Sequence, residues 1–430
     1  MPVHRTLVIG MLGAAACASA LPRGGSEPVI DDNDQPVRIA LSTSDESAKV
    51  GGTGSWRIYS RNSSNLVVSG SGGATMKIEP RTGELVVVRD NGSVTSRRAG
   101  PFLVRATTPG SFVTYEGKRY RGELIITPSN GALLVVNRLG VESYLRGVVP
   151  FEIGDRKPGE EAAVEAQAVA ARSYTYIHMA ESGSRAFDMY GSVQDQAYGG
   201  VDAEKAMTDA AVTSTRDMVI KYAGRIINTP YSSTCGGSTA AVSEVWWRQP
   251  DQPYLRPVSD RIPGTNSYYC DPSPRFRWTT TFTQDQLRAT LEKYILTVTP
   301  ASEPPVATSA TAPRASLGRI TGFRVNGRTA SDRVASVSIQ TERGNYTVRG
   351  NDVRFILRTP GGGLLGSTYF TAETSPDGAG AIGTLVIRGG GNGHGIGMCQ
   401  WGAIGRARAG QDYRTILTTY FPGTTVSRVN

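Results

Sequence analysis

Short segments that alternate apolar and polar residues, each ended by glycine, asparagine or serine, fill the first third of the chain. Alternation with a period of two puts every second side chain on one face of a β-strand, and turn residues at short intervals favour hairpins. The sequence therefore predicts a region built from paired strands. The predicted strands are 37–41, 85–88, 102–106, 122–127 and 132–137, and further strand patterns occupy 320–325, 334–341 and 346–348.

An alanine-rich segment, 158–180, predicts one long helix. Pro158 suits the first helical position, and Glu160 and Glu161 suit the first turn, where the helix dipole favours acidic side chains. Shorter helix patterns lie at 203–214, 283–295 and near 414–420. Separate runs of strands and helices predict an α+β fold, β-rich with a few helices, and not a doubly wound sheet.

The composition is that of a soluble globular protein. The chain has 430 residues, 39% of them hydrophobic and 19% charged, which allows two or three ordinary domains or one large one. The formal net charge of +9 suits an anionic partner such as a wall polymer. Lysine and arginine are scattered and form no run interleaved with aromatic residues, so we expect no nucleic-acid partner.

The N-terminal residues indicate export. His4-Arg5 precede an apolar run, 6–18, that is too short to span a bilayer. Ala18-Ser19-Ala20 then resembles a signal-peptidase site, so we expect a secreted or periplasmic protein of the cell envelope. Cys17 leaves lipidation open as an alternative, although Ala14 stands where a large aliphatic residue is usual. Only a lipid on Cys17 would give the protein a membrane partner.

Changes in composition divide the chain into five parts. The expected parts are a signal peptide at 1–20, a disordered lead-in at 21–35, a main region at 36–297, a low-complexity linker or insertion at 298–316, and a C-terminal part at 317–430.

Three cysteines lie beyond the signal. In an oxidising compartment, Cys235 and Cys270 are candidates for a disulfide, which would leave Cys399 over. The alternative is that all three are small buried thiols.

Glu152 is the first residue that suggests chemistry. It lies between Phe151 and Ile153, just after Pro150. A carboxyl with apolar neighbours tends to keep its proton, as a general acid requires. The ordinary alternative is a strand residue that faces solvent.

Two further segments suggest a binding site. The glycine-dense segment 389–397 carries His394 and lacks the P-loop lysine, so it does not predict a phosphate site. Segment 231–239 is rich in hydroxyl groups and glycine and precedes Trp246 and Trp247, which could stack on a sugar ring. The alternative is an ordinary turn with buried indoles.

Together these segments resemble the stage II sporulation protein D (SpoIID/LytB) family, from about Val37 to the C-terminus. Five blocks in the family's order carry the resemblance. They are 144–152 (YLRGVVPFE), 165–174 (EAQAVAARSY), 195–200 (DQAYGG), 231–239 (YSSTCGGST) with 244–246 (EVW), and 393–403 (GHGIGMCQWGA).

The resemblance implies a SpoIID-like fold and a lytic transglycosylase that cleaves peptidoglycan glycan strands, in sporulating species strands already stripped of stem peptides. It places the family's catalytic glutamate on Glu152. The implied substrate-binding residues are Gln167, Arg172, Tyr174, Gln196, Tyr198, Ser233, Thr234, His394 and Gln400.

One carboxyl suffices for this reaction. It protonates the departing glycosidic oxygen and then accepts a proton from the muramyl C6 hydroxyl, which closes on C1 as a 1,6-anhydro sugar. Ordinary glycosidases need two carboxylates. No second acid adjoins Glu152 in the sequence, although Asp195 could approach it in the fold.

We expect neither a cofactor nor a metal. Some relatives bind zinc through a cysteine pair, but Tyr190 and Asp195 stand at those positions here, and Ser232 replaces a histidine often found in relatives. Zinc prefers thiolate and imidazole ligands.

Two other functions stay open. The fold could bind glycan and stimulate a cell-wall amidase without cutting. Alternatively, Cys399 and His394, five positions apart, could serve as nucleophile and base, although the sequence offers no third orienting residue.

Overall fold

The structure is a computed structural model that describes residues 34–61, 65–298 and 316–429. The expected signal peptide, Cys17, most of the lead-in and residues 299–315 of the expected linker lie outside the described residues. The described chain divides into two compact units. The first contains the described part of Met1–Gly154 together with Thr175–Thr213, and the second contains Asp155–Tyr174 and Ser214–Asn430.

The first unit is mainly β-sheet. Its strands are β1 (Pro36–Asp45), β2 (Ala48–Gly52), β3 (Trp56–Ser60), β4 (Leu66–Gly70), β5 (Thr75–Arg81), β6 (Glu84–Val88), β7 (Phe102–Ala106), β8 (Val113–Tyr115), β9 (Lys118–Tyr120), β10 (Glu123–Ser129), β11 (Ala132–Gly140) and β12 (Met189–Tyr190). Its helical elements are α1 (Val141–Ile153), the end of α2 (Glu161–Ser182), a 3₁₀ turn (Gly200–Ala203) and most of α3 (Ala206–Ser214).

Two sheets enclose the core of this unit. One has seven strands in the order β12-β1-β11-β10-β7-β3-β4, and the other has five in the order β6-β5-β2-β8-β9. Val50 and Ile78 of the five-stranded sheet pack in one cluster with Ile58 and Phe102 of the seven-stranded sheet. This apolar layer is what the alternating pattern requires.

Strand β11 is apolar on both faces. Leu133 and Val135 join the core between the sheets, whereas Leu134 and Val136 join a smaller cluster on the opposite face. Burial on both faces explains a continuous apolar run where most strands of this unit alternate.

Among the described residues, the second unit adds four smaller sheets and most of the remaining helices. Its strands are β13 (Met218–Tyr222), β14 (Arg225–Ile226), β15 (Tyr231–Ser232), β16 (Arg277–Thr283), β17 (Ile320–Val325), β18 (Ser336–Thr341), β19 (Gly344–Arg349), β20 (Phe370–Pro376), β21 (Ile382–Gly390), β22 (Met398–Cys399) and β23 (Thr425–Arg428). Its helices, besides the first part of α2, are α4 (Val242–Val245), α5 (Gln284–Val298), α6 (Asp352–Ile356), α7 (Gln400–Arg408) and α8 (Tyr413–Tyr420).

One core cluster joins several elements of this unit. Leu287 and Leu291 of α5 pack with Val337 of β18 and with Leu385 and Ile387 of β21. The sheets β16-β21-β20 and β17-β18-β19 both contribute to it. The short pair β15-β22 is parallel and lies in the part of the chain that carries the glycine-dense segment.

The α+β prediction is confirmed, and most predicted strands and helices are present with small shifts at their ends. The helix predicted from Pro158 begins instead at Glu161, because Pro158 and Gly159 form a turn before it. The helix predicted at 203–214 begins at Ala206, after the 3₁₀ turn. Helices α1 and α7 and the short helices α4 and α6 were not predicted. No helix among the described residues is long and apolar enough to cross a membrane.

Candidate functional site

Glu152 lies in the last turn of α1, not on a strand. The helix begins directly after β11, where the Asp34 carboxylate accepts the Glu142 N–H at 2.9 Å. Gly154, with φ of 72°, ends the helix two residues after Glu152. Glu152 is partly exposed, so its carboxyl can meet a ligand from solvent.

The neighbours of Glu152 in sequence differ in exposure. Phe151 is 59% exposed, whereas Ile153 is buried. Consecutive residues on a helix point in different directions, so apolar neighbours in the chain need not surround the residue between them. The apolar setting inferred for the Glu152 carboxyl from its neighbours in the chain therefore stays a prediction.

A loop from the third block, 195–200, contacts Glu152. The Ala197 N–H donates to Glu152 Oε1 at 3.0 Å. Gly199 N–H donates to the Gly147 carbonyl of α1 at 3.1 Å. The first and third blocks, separated along the chain, thus meet at the catalytic candidate.

Buried polar groups hold this loop against α1. Gln196 is buried, and its Oε1 accepts hydrogen bonds from Tyr144 Oη at 3.3 Å and Thr175 Oγ1 at 3.1 Å. Tyr198 Oη donates to Asn137 Oδ1 at 2.9 Å. Burial raises the pKa of Tyr198 well above its usual value, so the phenol stays a neutral donor.

Aromatic packing adds to the same support. The ring of Tyr198 lies 5.0 Å from the ring of Tyr144 and 5.9 Å from that of Tyr120, measured between centroids. Gln196 and Tyr198, both predicted as substrate-binding residues, lie with Glu152 in the first unit and position the loop that touches its carboxyl. Sequence reasoning did not single out Asn137, Thr175 or the Ala197 amide.

Asp195 has a backbone partner. Its Oδ2 accepts the Tyr190 N–H at 2.7 Å, and its Oδ1 lies 3.8 Å from His178 Nε2. Tyr190 and Asp195 are two of the positions from which no zinc site was expected. The pair is adjacent in space here, and the carboxylate fastens the start of the loop.

Two predicted residues pair in the second unit. Gln400 Nε2 donates to Gln167 Oε1 at 3.1 Å, and both side chains are buried. Arg172 is fully buried as well, and its Nη1 donates to the Met218 carbonyl at 3.1 Å. The Tyr174 ring lies 6.4 Å from that of Tyr231. Because Gln167 and Arg172 are buried, their side chains stabilise the fold around α2.

The glycine-dense segment packs against the segment 231–239. Strand β15 pairs in parallel with β22, and Asn392 and Thr234 exchange backbone hydrogen bonds at 2.7 and 3.1 Å. Gly236 and Gly391 have positive φ, and a Cβ on either would lie 2.7 Å from backbone atoms of the other segment. Glycine is required here because two backbones approach closely.

Ser233 and Thr234 lie at this contact. Thr234 is buried, and Ser233 is partly exposed and accepts the Trp401 N–H on its carbonyl at 3.0 Å. Ser232, at the position of the histidine found in relatives, accepts the Gly395 N–H on its hydroxyl at 3.2 Å. The segment therefore fastens the loop that carries His394.

His394 is held as a neutral imidazole. Its Nδ1 accepts the Ile396 N–H at 3.1 Å, and its ring centroid lies 5.2 Å from that of Trp246. Burial, followed by the positive charge of Arg354, lowers the pKa of His394 to about 4. A neutral imidazole whose Nδ1 already accepts a hydrogen bond is better suited to stacking and to a fixed hydrogen bond than to proton transfer near pH 7.

The predicted disulfide is not formed. The sulfur atoms of Cys235 and Cys270 lie 3.6 Å apart, whereas a disulfide bond is about 2.05 Å long, and both residues are free thiols. Cys399, expected to be left over, lies in the same buried group. It is fully buried, so its position does not favour a nucleophile that must reach a substrate.

A groove in the second unit offers a basic and aromatic surface. Its volume is about 570 Å³. Three arginines, three aromatic residues and one aspartate line much of it: Arg277, Arg328, Arg388, Trp278, Tyr369, Phe370 and Asp332. The Trp278 indole donates to the Gly391 carbonyl at 2.8 Å, so the groove adjoins the glycine-dense segment.

Comparison with known proteins gives two matching family models and several relatives. Residues 129–222 match the family model "Stage II sporulation protein", and residues 264–397 match a model described as a domain of unknown function (DUF8618). An uncharacterized protein of Brachyspira hyodysenteriae is 30% identical over 321 residues, which are 74% of this chain and 75% of the relative. Stage II sporulation protein D of Bacillus subtilis is 28% identical over 69% of this chain and 76% of its own length. The chain belongs to the SpoIID family.

The SpoIID match includes the part of the first unit that holds Glu152 and the loop 195–200. A further relative, the amidase enhancer of Bacillus subtilis, is 30% identical over 66% of this chain, but the match covers only 40% of that relative. Membership of the SpoIID family supports a cell-wall-related role.

Proposed function

We propose that this SpoIID protein is a lytic transglycosylase of the cell envelope that cleaves peptidoglycan strands after N-acetylmuramic acid, with Glu152 as its general acid and base. The observation that carries the proposal is the position of Glu152. The carboxyl is partly exposed at a helix end and is contacted by the family's own 195–200 loop. Strands already stripped of stem peptides are the proposed substrate.

The surroundings of Glu152 hold its carboxyl in one position. The Ala197 N–H at 3.0 Å fixes Oε1, and the loop that supplies this amide is held by the buried Gln196. Acid catalysis requires the carboxyl within hydrogen-bond reach of the glycosidic oxygen, so a fixed carboxyl lowers the entropic cost of reaction.

The reaction needs no second carboxylate. Glu152 donates a proton to the leaving oxygen while the bond from muramyl C1 to that oxygen breaks. The resulting carboxylate accepts the proton of the C6 hydroxyl, and the C6 oxygen bonds to C1. Glu152 regains its proton, and the product ends in a 1,6-anhydro sugar without consumption of water.

Glu152→Gln tests the role directly, because the amide has nearly the same shape but cannot donate an acidic proton. The purified variant and wild type are incubated with peptide-free glycan strands, and anhydro-muramyl ends are counted by mass spectrometry. We expect a loss of about a hundredfold or more. Glu181→Gln, an exposed change at the end of α2, is the matched control and should keep wild-type activity.

A Glu152→Gln variant that folds like wild type and still releases anhydro ends at the wild-type rate would contradict the assignment. Circular dichroism and the thermal midpoint establish the folded state of each variant.

A second candidate function is stimulation of a cell-wall amidase by glycan binding. The relative named amidase enhancer favours it, and the groove with Trp278, Tyr369 and three arginines provides a surface for a polar polymer. A pure binding protein would release no anhydro ends, and its Glu152→Gln variant would stimulate an amidase as well as wild type does.

A further inference from the structure

Four buried side chains of the second unit converge on one point. One donor atom each from Cys235, Asp260, Cys270 and Cys399 lies within 4.8 Å of every other. All four residues are at most 1% exposed. They are far apart in the sequence, and their spacing matches no recognisable metal-binding motif. Only the fold shows that they form a group.

We propose that the three thiolates and the Asp260 carboxylate bind one zinc ion in a closed structural site. This site does not depend on glycan cleavage and lies outside the block where relatives carry a cysteine pair. The proposal departs from the expectation of no metal, which rested on Tyr190, Asp195 and Ser232 alone. Its three cysteines are the ones that the sequence suggested as a disulfide pair and a remaining thiol.

Two distances between donor atoms match the edges of a tetrahedral zinc site. Cys235 Sγ lies 3.6 Å from Cys270 Sγ and 3.5 Å from Asp260 Oδ2. With Zn–S near 2.3 Å and Zn–O near 2.0 Å, a tetrahedron has edges of about 3.8 Å between two sulfurs and about 3.5 Å between sulfur and oxygen. The thiols are thus spaced for a shared ion and are too far apart for a disulfide bond.

Outer contacts orient the carboxylate. Asp260 Oδ1 accepts hydrogen bonds from Tyr420 Oη at 2.6 Å and from Arg406 Nη2 at 3.1 Å, whereas Oδ2 faces Cys235. Ligating carboxylates are commonly held in this way by a second set of hydrogen bonds.

Backbone amides surround Cys399. Its Sγ accepts N–H groups from Cys235 at 3.2 Å and from Gly402 at 3.3 Å, and the residue caps the N-terminus of the nine-residue helix α7. Amide donors and a helix N-terminus both stabilise a thiolate over a thiol.

A buried guanidinium supplies an independent reason for negative charge. Arg333 is 1% exposed, and its Nη2 donates to the carbonyls of Cys235 and Ser238. Its Nε and Nη1 have no hydrogen-bond partner among the described residues. A buried cation is costly without a counter-charge.

The four ligands, with zinc bound between them, provide that negative counter-charge. Three thiolates and one carboxylate carry four negative charges. The ion contributes two positive charges, and Arg333 and Arg406 contribute one each, so the assembly is neutral. With four protein ligands and full burial, no position remains for a reacting water, and the ion would stabilise the fold without taking part in catalysis.

Metal analysis of the full chain tests the proposal. The protein is produced in a reducing cytoplasm with zinc in the medium, purified without chelator and measured by inductively coupled plasma mass spectrometry. We expect about one zinc per chain in wild type, and a loss of at least about fivefold in Cys270→Ser. Cys17→Ser, which removes the one cysteine of the sequence outside the group, is the matched control and should keep its zinc.

Cobalt exchange keeps the test valid if Cys270→Ser fails to fold. Wild type loaded with Co²⁺ should show thiolate-to-cobalt charge transfer and the visible bands of a tetrahedral site. Wild type that binds less than about a tenth of an equivalent after zinc saturation would overturn the proposal. A Cys235–Cys270 disulfide in protein exported to an oxidising compartment would overturn it as well.

The zinc proposal and the proposed function of Glu152 can be tested, and can fail, independently of each other. Glu152→Gln should retain full zinc, whereas a chelator should lower the thermal midpoint of both wild type and Glu152→Gln and leave that of Cys270→Ser unchanged.

Discussion

His394 shows how strongly its surroundings set the chemistry of a single residue. The sequence places it on a glycine-dense loop as an implied substrate-binding residue, and in the structure its partly exposed ring packs against Trp246 and its pKa is lowered to about 4. The sequence could place His394 in the site region but could not supply its protonation state, because the groups that set it, Arg354 and the backbone at Tyr231, lie elsewhere in the chain.

The lowered pKa of His394 predicts a pH dependence of stability. Between about pH 6.5 and pH 4 the unfolded chain binds a proton that the folded chain does not, so the free energy of unfolding falls as the pH is lowered through this window. At about 1.4 kcal/mol per pH unit, the loss from pH 6.5 to pH 5 is at most about 2 kcal/mol.

Denaturant unfolding at these two pH values, on wild type and His394→Gln, measures the effect. The variant should lose less stability on acidification than wild type, and Ser233→Ala, which removes no titratable group, should follow wild type. Equal losses in wild type and His394→Gln would show that His394 does not titrate abnormally.

At the scale of elements, two contacts bring the sequence blocks together. The loop 195–200 packs on α1, and β22 pairs with β15. The order of the blocks could be predicted from the sequence, and so could most strands. The contacts between blocks could not, since they depend on side chains such as Gln196 and on close backbone approach at Gly236 and Gly391.

Helices α1 and α7 were missed for a physical reason. Helix α1 contains Gly147 and Pro150, and α7 contains Gly402 and Gly405, residues that disfavour a helix in isolation. Tertiary contacts override that preference. Gly402 and Gly405 permit close approach of Asp260, Tyr420 and the Tyr269 backbone, so the glycines serve packing.

Gly147 of α1 provides a test of this packing. A Cβ at this position would lie 2.5 Å from the Tyr198 ring. Gly147→Ala should therefore displace Tyr198 and the loop that contacts Glu152, with a loss of about 1–3 kcal/mol in stability and a larger relative loss of strand cleavage. Thermal melts and product counts measure both quantities.

Ser143→Ala, a partly exposed change on the same helix, is the control and should affect neither quantity. A Gly147→Ala variant with wild-type stability and activity would show that the loop does not need this close approach.

At the scale of the whole molecule, the candidate functional features are divided between the two units. The first carries Glu152, and the second carries the buried Gln167–Gln400 pair, the glycine-dense segment and the basic groove. SpoIID membership supports a cell-wall-related role for the whole, and the net charge of +9 suits an anionic wall. The chemistry of the product distinguishes the ways in which a strand could be cut.

The source of the oxygen in the product tests the central claim most directly. Wild-type protein is incubated with peptide-free strands in ¹⁸O-labelled water, and the new ends are analysed by mass spectrometry. Transglycosylation through Glu152 predicts 1,6-anhydro-muramyl ends that carry no label, because the C6 hydroxyl of the sugar closes the ring. Reducing ends that carry ¹⁸O would identify a hydrolase, and intact strands would identify a protein that binds glycan without cutting it; either result would contradict the proposed mechanism.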